Sequence, residues 1–234
     1  MANCLELKEI LMLNRAQWVT LVISAVVLAA CGTVEQTENL GPNNTTALAA
    51  IRAAYVKAGE QKSYRAQMTL TDSDGKVTNG TIDYVAPSSA HMMMKVEGKT
   101  QTLEHILYNG SLYIKGDRQW VRSPVATDTI LDQVRKDPQT LADFMKTISG
   151  AQVVGTESVG GKPATAYRYY QAGKIAGGLG STKGWVKLWV GSNGLPIRLE
   201  SDAETKVMFI GGHGKSTILY TDYGAPIRIS APPV

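Results

Sequence analysis

Two periodicities divide the chain. From Ala47 to Lys62 apolar residues recur at Leu48, Ile51, Tyr55 and Ala58 with alanines between them, the spacing of an amphipathic helix, and Thr45 or Thr46 stands where a cap is needed. The stripe is narrow and alanine-rich, which suits close packing on a sheet. A bilayer-surface helix would line its polar face with Lys and Arg, whereas Arg52, Lys57 and Glu60 are sparse and mixed in sign. After Ser63 the period changes to two. Tyr64, Ala66, Met68 and Leu70 alternate with Arg65, Gln67, Thr69 and Thr71, and Asp72-Ser73-Asp74-Gly75 turns the chain into a second strand, Val77 to Val85.

Short strands follow as a meander: Ala90 to Val96, Gln101 to Tyr108, Ser111 to Lys115 after Asn109-Gly110, and Gln119 to Arg122 after Gly116-Asp117. Between Pro124 and Gly150 alternation stops. Asp128 caps a short helix through Ile130, Leu131 and Val134, and after Asp137-Pro138 a second runs through Leu141, Phe144, Met145 and Ile148. The two-residue period then returns in Gln152 to Val159, Pro163 to Gln171, Trp185 to Val190, Ile197 to Ser201, Val207 to Ile210 and Ser216 to Tyr220, with a glycine-rich loop expected from Gly173 to Gly184 and a turn at Gly211 to Gly214.

This order, with about a dozen strands and no βαβ alternation, predicts a mainly β protein with some α (α+β). Its centre is a large curled antiparallel sheet, a half β-barrel wrapped around the N-terminal helix and the short helical insertion. So many strands cannot stay in one twisted sheet without curling. The concave apolar face must then be filled, and what the helices leave open is a cavity of the kind that accepts acyl chains. On the apolar strand faces, the candidate cavity residues are Met68, Leu70, Ile82, Tyr84, Met92, Met94, Val186, Leu188 and Val190. Met92 and Met94 share a face with Ala90 and Val96, and unbranched thioethers adapt to irregular apolar shapes. A slip of one residue in register would turn the whole set to the other face.

The N-terminal stretch sets the compartment. Leu21 to Cys31 reads LVISAVVLAAC, an apolar run of about 13 to 15 residues after Arg15, too short for the roughly 20 that span a bilayer. It ends in Leu28-Ala29-Ala30-Cys31-Gly32, a lipobox: the small residues fit a peptidase site, cleavage falls between Ala30 and Cys31, and the Cys31 thiol takes up a diacylglycerol. The expected organisation is a lipoprotein signal peptide at 1–30, a flexible tether at 31–46 and a lipid-binding domain at 47–234. Met12 offers a more compact signal start than Met1. The lipobox predicts a palmitate-type anchor on the outer face of a bacterial cell membrane.

Composition removes other classes. The formal charge is +4, and residues 1 to 30 hold Glu6, Lys8, Glu9 and Arg15 in balance, so the mature chain keeps that value. Spread over the chain without clustered Lys and Arg, it gives no nucleic-acid footprint. Cys4 and Cys31 are the two cysteines, one discarded and one lipidated, which leaves no disulfide and no Cys-based metal site. Asp72, Asp74 and Gly75 lack the later ligands of a calcium loop and read as a turn. The sequons at Asn43, Asn44, Asn79 and Asn109 read as turn residues too. Gly211-Gly212-His213-Gly214-Lys215-Ser216 lacks the first glycine of a phosphate loop, where Phe209 stands. His91, His105 and His213 lie on separate segments and read as solvated, and no serine sits in a nucleophile elbow. No enzyme, cofactor or metal is expected.

The chain resembles the LppX/LprG-type bacterial lipoproteins, within the wider LolA/LolB-like group of lipoprotein carriers. The likeness rests on the lipobox, on Tyr108-Asn109-Gly110-Ser111-Leu112-Tyr113, on the Trp185 to Val190 strand leading to Gly194-Leu195-Pro196-Ile197-Arg198-Leu199-Glu200, and on the terminal Tyr220 to Ile227. The resemblance implies a half-barrel sheet wrapped on helices with a hydrophobic cavity that carries lipids or glycolipids across the envelope; a carrier of triacylated lipoproteins fits the same fold, and an envelope protein partner stays open. The rival expectation is a non-enzymatic sensor or scaffold, its sheet packed solid, that binds a protein through Trp120, Trp185 and Trp189.

Overall fold

The computed structural model describes residues 40–87, 89–100, 102–116, 119–122, 142, 144–175, 180–207 and 210–234. The expected signal segment, Ala30 and Cys31, and the first insertion helix around Asp128 to Val134 lie outside the described residues. A helical turn at 144–146 belongs to the second expected insertion helix, which stops short of Ile148, the first residue of a strand. Among the described residues a helix, α1 (Thr45–Gly59), precedes eleven strands. Its cap is Asn44 and not the threonines that follow: the side-chain oxygen accepts from Ala47 N at 2.9 Å, and Asn is a better cap than Thr. The expected tether also ends earlier than Thr46. Asn43 Nδ2 donates to Ile148 O at 3.2 Å, and its Oδ1 accepts from Ala151 N at 2.8 Å.

The strands are β1 (Ser63–Asp72), β2 (Val77–Val85), β3 (Ser89–Val96), β4 (Thr102–Tyr108), β5 (Ser111–Lys115), β6 (Trp120–Arg122), β7 (Ile148–Val159), β8 (Lys162–Ile175), β9 (Gly180–Gly191), β10 (Pro196–Val207) and β11 (Ile210–Thr221). They form one curled antiparallel sheet in the order β6-β5-β4-β3-β2-β1-β11-β10-β9-β8-β7. The β1/β11 pair closes the meander across the middle, with Met68 opposite Ile218 and Ala66 opposite Tyr220. At the β1/β2 turn Asp72 Oδ1 accepts from Asp74 N and Lys76 N, and Gly75 takes φ 78°.

Two expected loops are strand instead. Gly173 to Gly184 is largely the pairing of β8 with β9, Gly173 facing Thr182 and Gln171 facing Gly184. Glycine is needed there for close approach: a Cβ on Gly173 would sit 2.8 Å from Thr147 Cγ2, and one on Gly184 would collide with Asp202 O and Ala203. Gly211 to Gly214 likewise lies inside β11, where a Cβ on Gly214 would sit 3.1 Å from Thr71 O. Val207 and Ile210 end β10 and begin β11 and do not form a strand of their own. Asn79, expected at a turn, is mid-strand in β2 and pairs its amide oxygen with Thr69 Oγ1 at 2.9 Å.

The main core lies on one face, here called inner, in two connected parts, and a smaller cluster of Ala164, Ala166 and Trp189 is buried on the other. Under α1, Ala47, Ile51 and Ala54 pack with Ile148, Ala151, Tyr169, Val186 and Leu188. Alanines bring the helix close, so the buried stripe is rotated slightly from the expected one, and Leu48 and Tyr55 flank it. Beyond the helix, Ala66, Met68, Leu70, Met94 and Ile218 form the second part, and Leu199 touches both.

Candidate functional site

Register fixes which residues share the inner face, because alternate positions on each strand point the same way. Met68, Gly80 and Met94 stand in one row across β1, β2 and β3. Ala66, Ile82, Met92 and His105 form the next, and Tyr64, Tyr84, Ala90 and Leu107 the one beyond. The expected set is thus on one face: Met68, Leu70, Ile82, Met92 and Met94 belong to the second core, Tyr84 stacks on Tyr64 beside it, and Val186, Leu188 and Val190 belong to the helix-covered core. The set is split between two regions. Val186 and Leu188 are filled by α1, whereas the methionines lie beyond it.

Gly80 explains how the methionines meet. A Cβ there would lie 2.9 Å from Met94 Cγ and 3.4 Å from Met68 Cε, so the missing side chain is the space into which both thioethers fold. Met93, in the middle of the run, points outward and is 41% exposed. An open groove of about 440 Å³ crosses the same three strands and takes in Gln67, Thr69, Asn79, Thr81, Met93 and Lys95 from the outer side. Its lining mixes these polar side chains with apolar surface from Met68, Met93 and Met94, and it opens on the face opposite the cavity expected from the sequence.

The inner face also holds groups that the sequence reading passed over. Tyr64 stacks on Tyr84 with centroids 4.9 Å apart and meets Tyr220 at 5.8 Å and Tyr223 at 5.9 Å. Next to them, Tyr55 of α1 and Tyr169 of β8 share a hydroxyl hydrogen bond of 2.7 Å. Burial pushes the Tyr55 phenol up to about 12 and raises Tyr64, Tyr169, Tyr220 and Tyr223 further, so these rings are neutral donors at every physiological pH. The signal was available in Tyr64, Tyr84, Tyr169 and Tyr220, whose strand periods put them on the Met68 and Leu188 side. His105, expected to be solvated, is half-buried on this face between Met92 and Ile114, and desolvation lowers its pKa. His91 is on the outer face, its Nε2 2.9 Å from Glu104 Oε1.

The tryptophans are engaged on the outer side. Trp189 is 4% exposed, packs on Ala164 and Ala166, and donates from Nε1 to Glu157 at 2.8 Å. Lys187 Nζ reaches the same carboxylate at 2.8 Å, and these two hydrogen bonds hold Glu157 below the usual carboxylate range. Arg168 lies over Trp185 at 3.9 Å and Lys115 over Trp120 at 5.6 Å. Lys187 and Arg198 lie at 4.6 and 5.0 Å from the Trp189 ring, so each of the three indoles has a cation of its own chain against it.

Comparison of the whole architecture places it among solved structures. The chain shares its fold with the lipoproteins LppX and LprF. LppX from Mycobacterium tuberculosis superposes with a TM-score of 0.58 at 15% identity, over 80% of this chain and 100% of its own. LprF from Mycobacterium bovis gives 0.56 at 15% identity, over 82% of this chain and 99% of its own. A LolA superfamily protein from Nitrosomonas europaea reaches 0.32 at 11% identity over 75% and 91%, too low a score to define a common fold. No protein-family model matches the sequence. No curated protein matches it either. Among the described residues no helix is long and apolar enough to cross a membrane.

Proposed function

We propose that this chain is a lipoprotein, anchored through Cys31 at the outer face of the cytoplasmic membrane, that binds lipid or glycolipid acyl chains on the inner face of its sheet and carries them across the envelope. The observation that carries the reading is the second core. It is apolar and built of adaptable methionines on a glycine floor, and Ile82, Met92, Tyr84 and Leu103 at its margin are only partly buried. Uptake of an acyl chain changes only its apolar environment and needs no catalytic group. The anchor follows from the lipobox: two acyl chains at about 0.8 kcal/mol per methylene hold a protein stably at a bilayer. The lipoprotein fold shared with LppX and LprF agrees with this placement.

The test is native mass spectrometry of the full chain carrying Cys31→Ala, produced in its own envelope, followed by lipid extraction. About one lipid per chain is expected, lost on Met92→Lys, since a charge among the methionines has no partner there. A clean apoprotein that also ignores added glycolipid and lipopeptide overturns the carrier.

A further inference from the structure

Tyrosines on the inner face form a belt between the helix-covered core and the methionine patch. Most of their hydroxyls are already engaged: Tyr55 with Tyr169, Tyr223 to Pro196 O at 2.8 Å, and Tyr84 to Pro87 O at 3.3 Å. Tyr64 and Tyr220 differ. Their rings make the aromatic contacts that hold the belt together, yet among the described residues neither hydroxyl has a hydrogen-bond partner. Both side chains are half-buried beside Ala66, Met68 and Ile218. Neither oxygen is sealed from solvent, so each phenol is a reachable donor among apolar side chains, which an acceptor on a ligand can engage.

The charge of that acceptor is set by what surrounds it. The inner-face positions of β1, β2, β3, β4 and β11 at 64 to 70, 78 to 84, 90 to 96, 103 to 107 and 216 to 220 hold no lysine, arginine or carboxylate. A phosphate brought here would be desolvated with no lysine or arginine at these positions to meet it, and the lowered pKa of His105 keeps that ring from serving as the cation. Building on the carrier reading, we propose that Tyr64 and Tyr220 form a polar subsite that donates hydrogen bonds to the ester or hydroxyl oxygens of an uncharged lipid headgroup whose acyl chains lie on the adjoining methionine patch.

The experiment titrates the full chain carrying Cys31→Ala, with and without Tyr64→Phe and Tyr220→Phe, with three probes by native mass spectrometry. These are 1,2-dioleoylglycerol, dioleoylphosphatidylglycerol and squalene, which is apolar throughout. Phenylalanine keeps the ring contacts, so thermal unfolding midpoints close to the parent are expected. Each substitution is expected to weaken dioleoylglycerol about three- to tenfold, the worth of one hydrogen bond, and to leave squalene unchanged. The parent is expected to prefer dioleoylglycerol to dioleoylphosphatidylglycerol. Equal losses for dioleoylglycerol and squalene, no loss for either, or preference for the phospholipid overturns the subsite while the carrier stands. A parent that binds none of the three overturns the subsite, and overturns the carrier with it when the chain also leaves its own envelope without lipid and ignores glycolipid and lipopeptide.

Discussion

The two halves of the inner face obey the same alternation of apolar and polar residues yet are built from different side chains. Under α1, Ile51, Leu188 and Tyr169 are each 0% exposed, and branched or aromatic shapes with few rotamers interlock with a helix of alanines. In the other half the equivalent depth is reached by Met68 at 2% and Met94 at 1%, folded over Gly80, with half-buried Ile82 and Met92 around them. Binary pattern says which side chains face inward. Residue type says how rigidly that interior is specified: branched residues fix one packing, thioethers accept several.

The comparison breaks most visibly at Leu188. Leu188→Ala is expected to cost about 3 kcal/mol, because the helix and strands around it can relax only partly into the space left. The denaturation midpoint in urea should fall accordingly, and a loss under about 1 kcal/mol would mean that the helix-covered half is as yielding as the other. Gly80→Ala comes next, at about 1 to 2 kcal/mol, since the new methyl meets Met93 O at 2.9 Å and must displace Met94. It should reduce lipid uptake by more than its stability loss explains. Unchanged uptake would separate the methionine patch from ligand binding.

Much of this architecture was legible in the chain. The period of two located β1 to β5 within a residue or so, because hairpin turns such as Asn109-Gly110, where Asn109 takes φ 47°, punctuate them locally. The long strands were underestimated for the opposite reason. Gly173, Gly184 and Gly214 read as flexible locally, but the need for them comes from Thr147, Asp202 and Thr71 across the sheet, which local sequence does not show. On β1, β2, β3 and β9 the apolar side was read in the right register, whereas its division into a helix-filled part and a methionine part depends on where α1 lies. His105 was within reach of the same alternation, since Leu103 and Leu107 stand two residues to either side of it on one face of β4, while Glu104 beside it points the other way.

A smaller perturbation addresses the helix alone. Asn44→Ala removes the acceptor for Ala47 N and should cost about 1 kcal/mol, with Asn44→Asp recovering most of it. Hydrogen exchange should rise in α1 and the strands it covers, with β1 to β3 unaffected. Equal acceleration in both halves would show that they open as one unit.

The smallest effect is also the most local probe of the methionine half. Burial lowers the pKa of His105 from its ordinary 6.5, so the native state resists protonation through a range in which the unfolded chain has already taken up a proton. Stability therefore rises with pH there: the contribution of His105 is fully present above about 6.5 and is lost as pH falls from 6.5 toward the native value. Glu104 acts lower. Desolvation tends to raise it, but hydrogen bonds from Lys115 and His91 outweigh that and hold it below 4.5, so its contribution is lost only under more acid conditions. Unfolding free energies between pH 5 and 7 should thus fall more steeply on acidification for the parent than for His105→Gln, the difference isolating this ring from His91 and His213, with roughly parallel curves below. Parallel curves throughout would mean that water already reaches His105, and that the inner face between Met92 and Ile114 is wet and not the apolar surface the comparison requires.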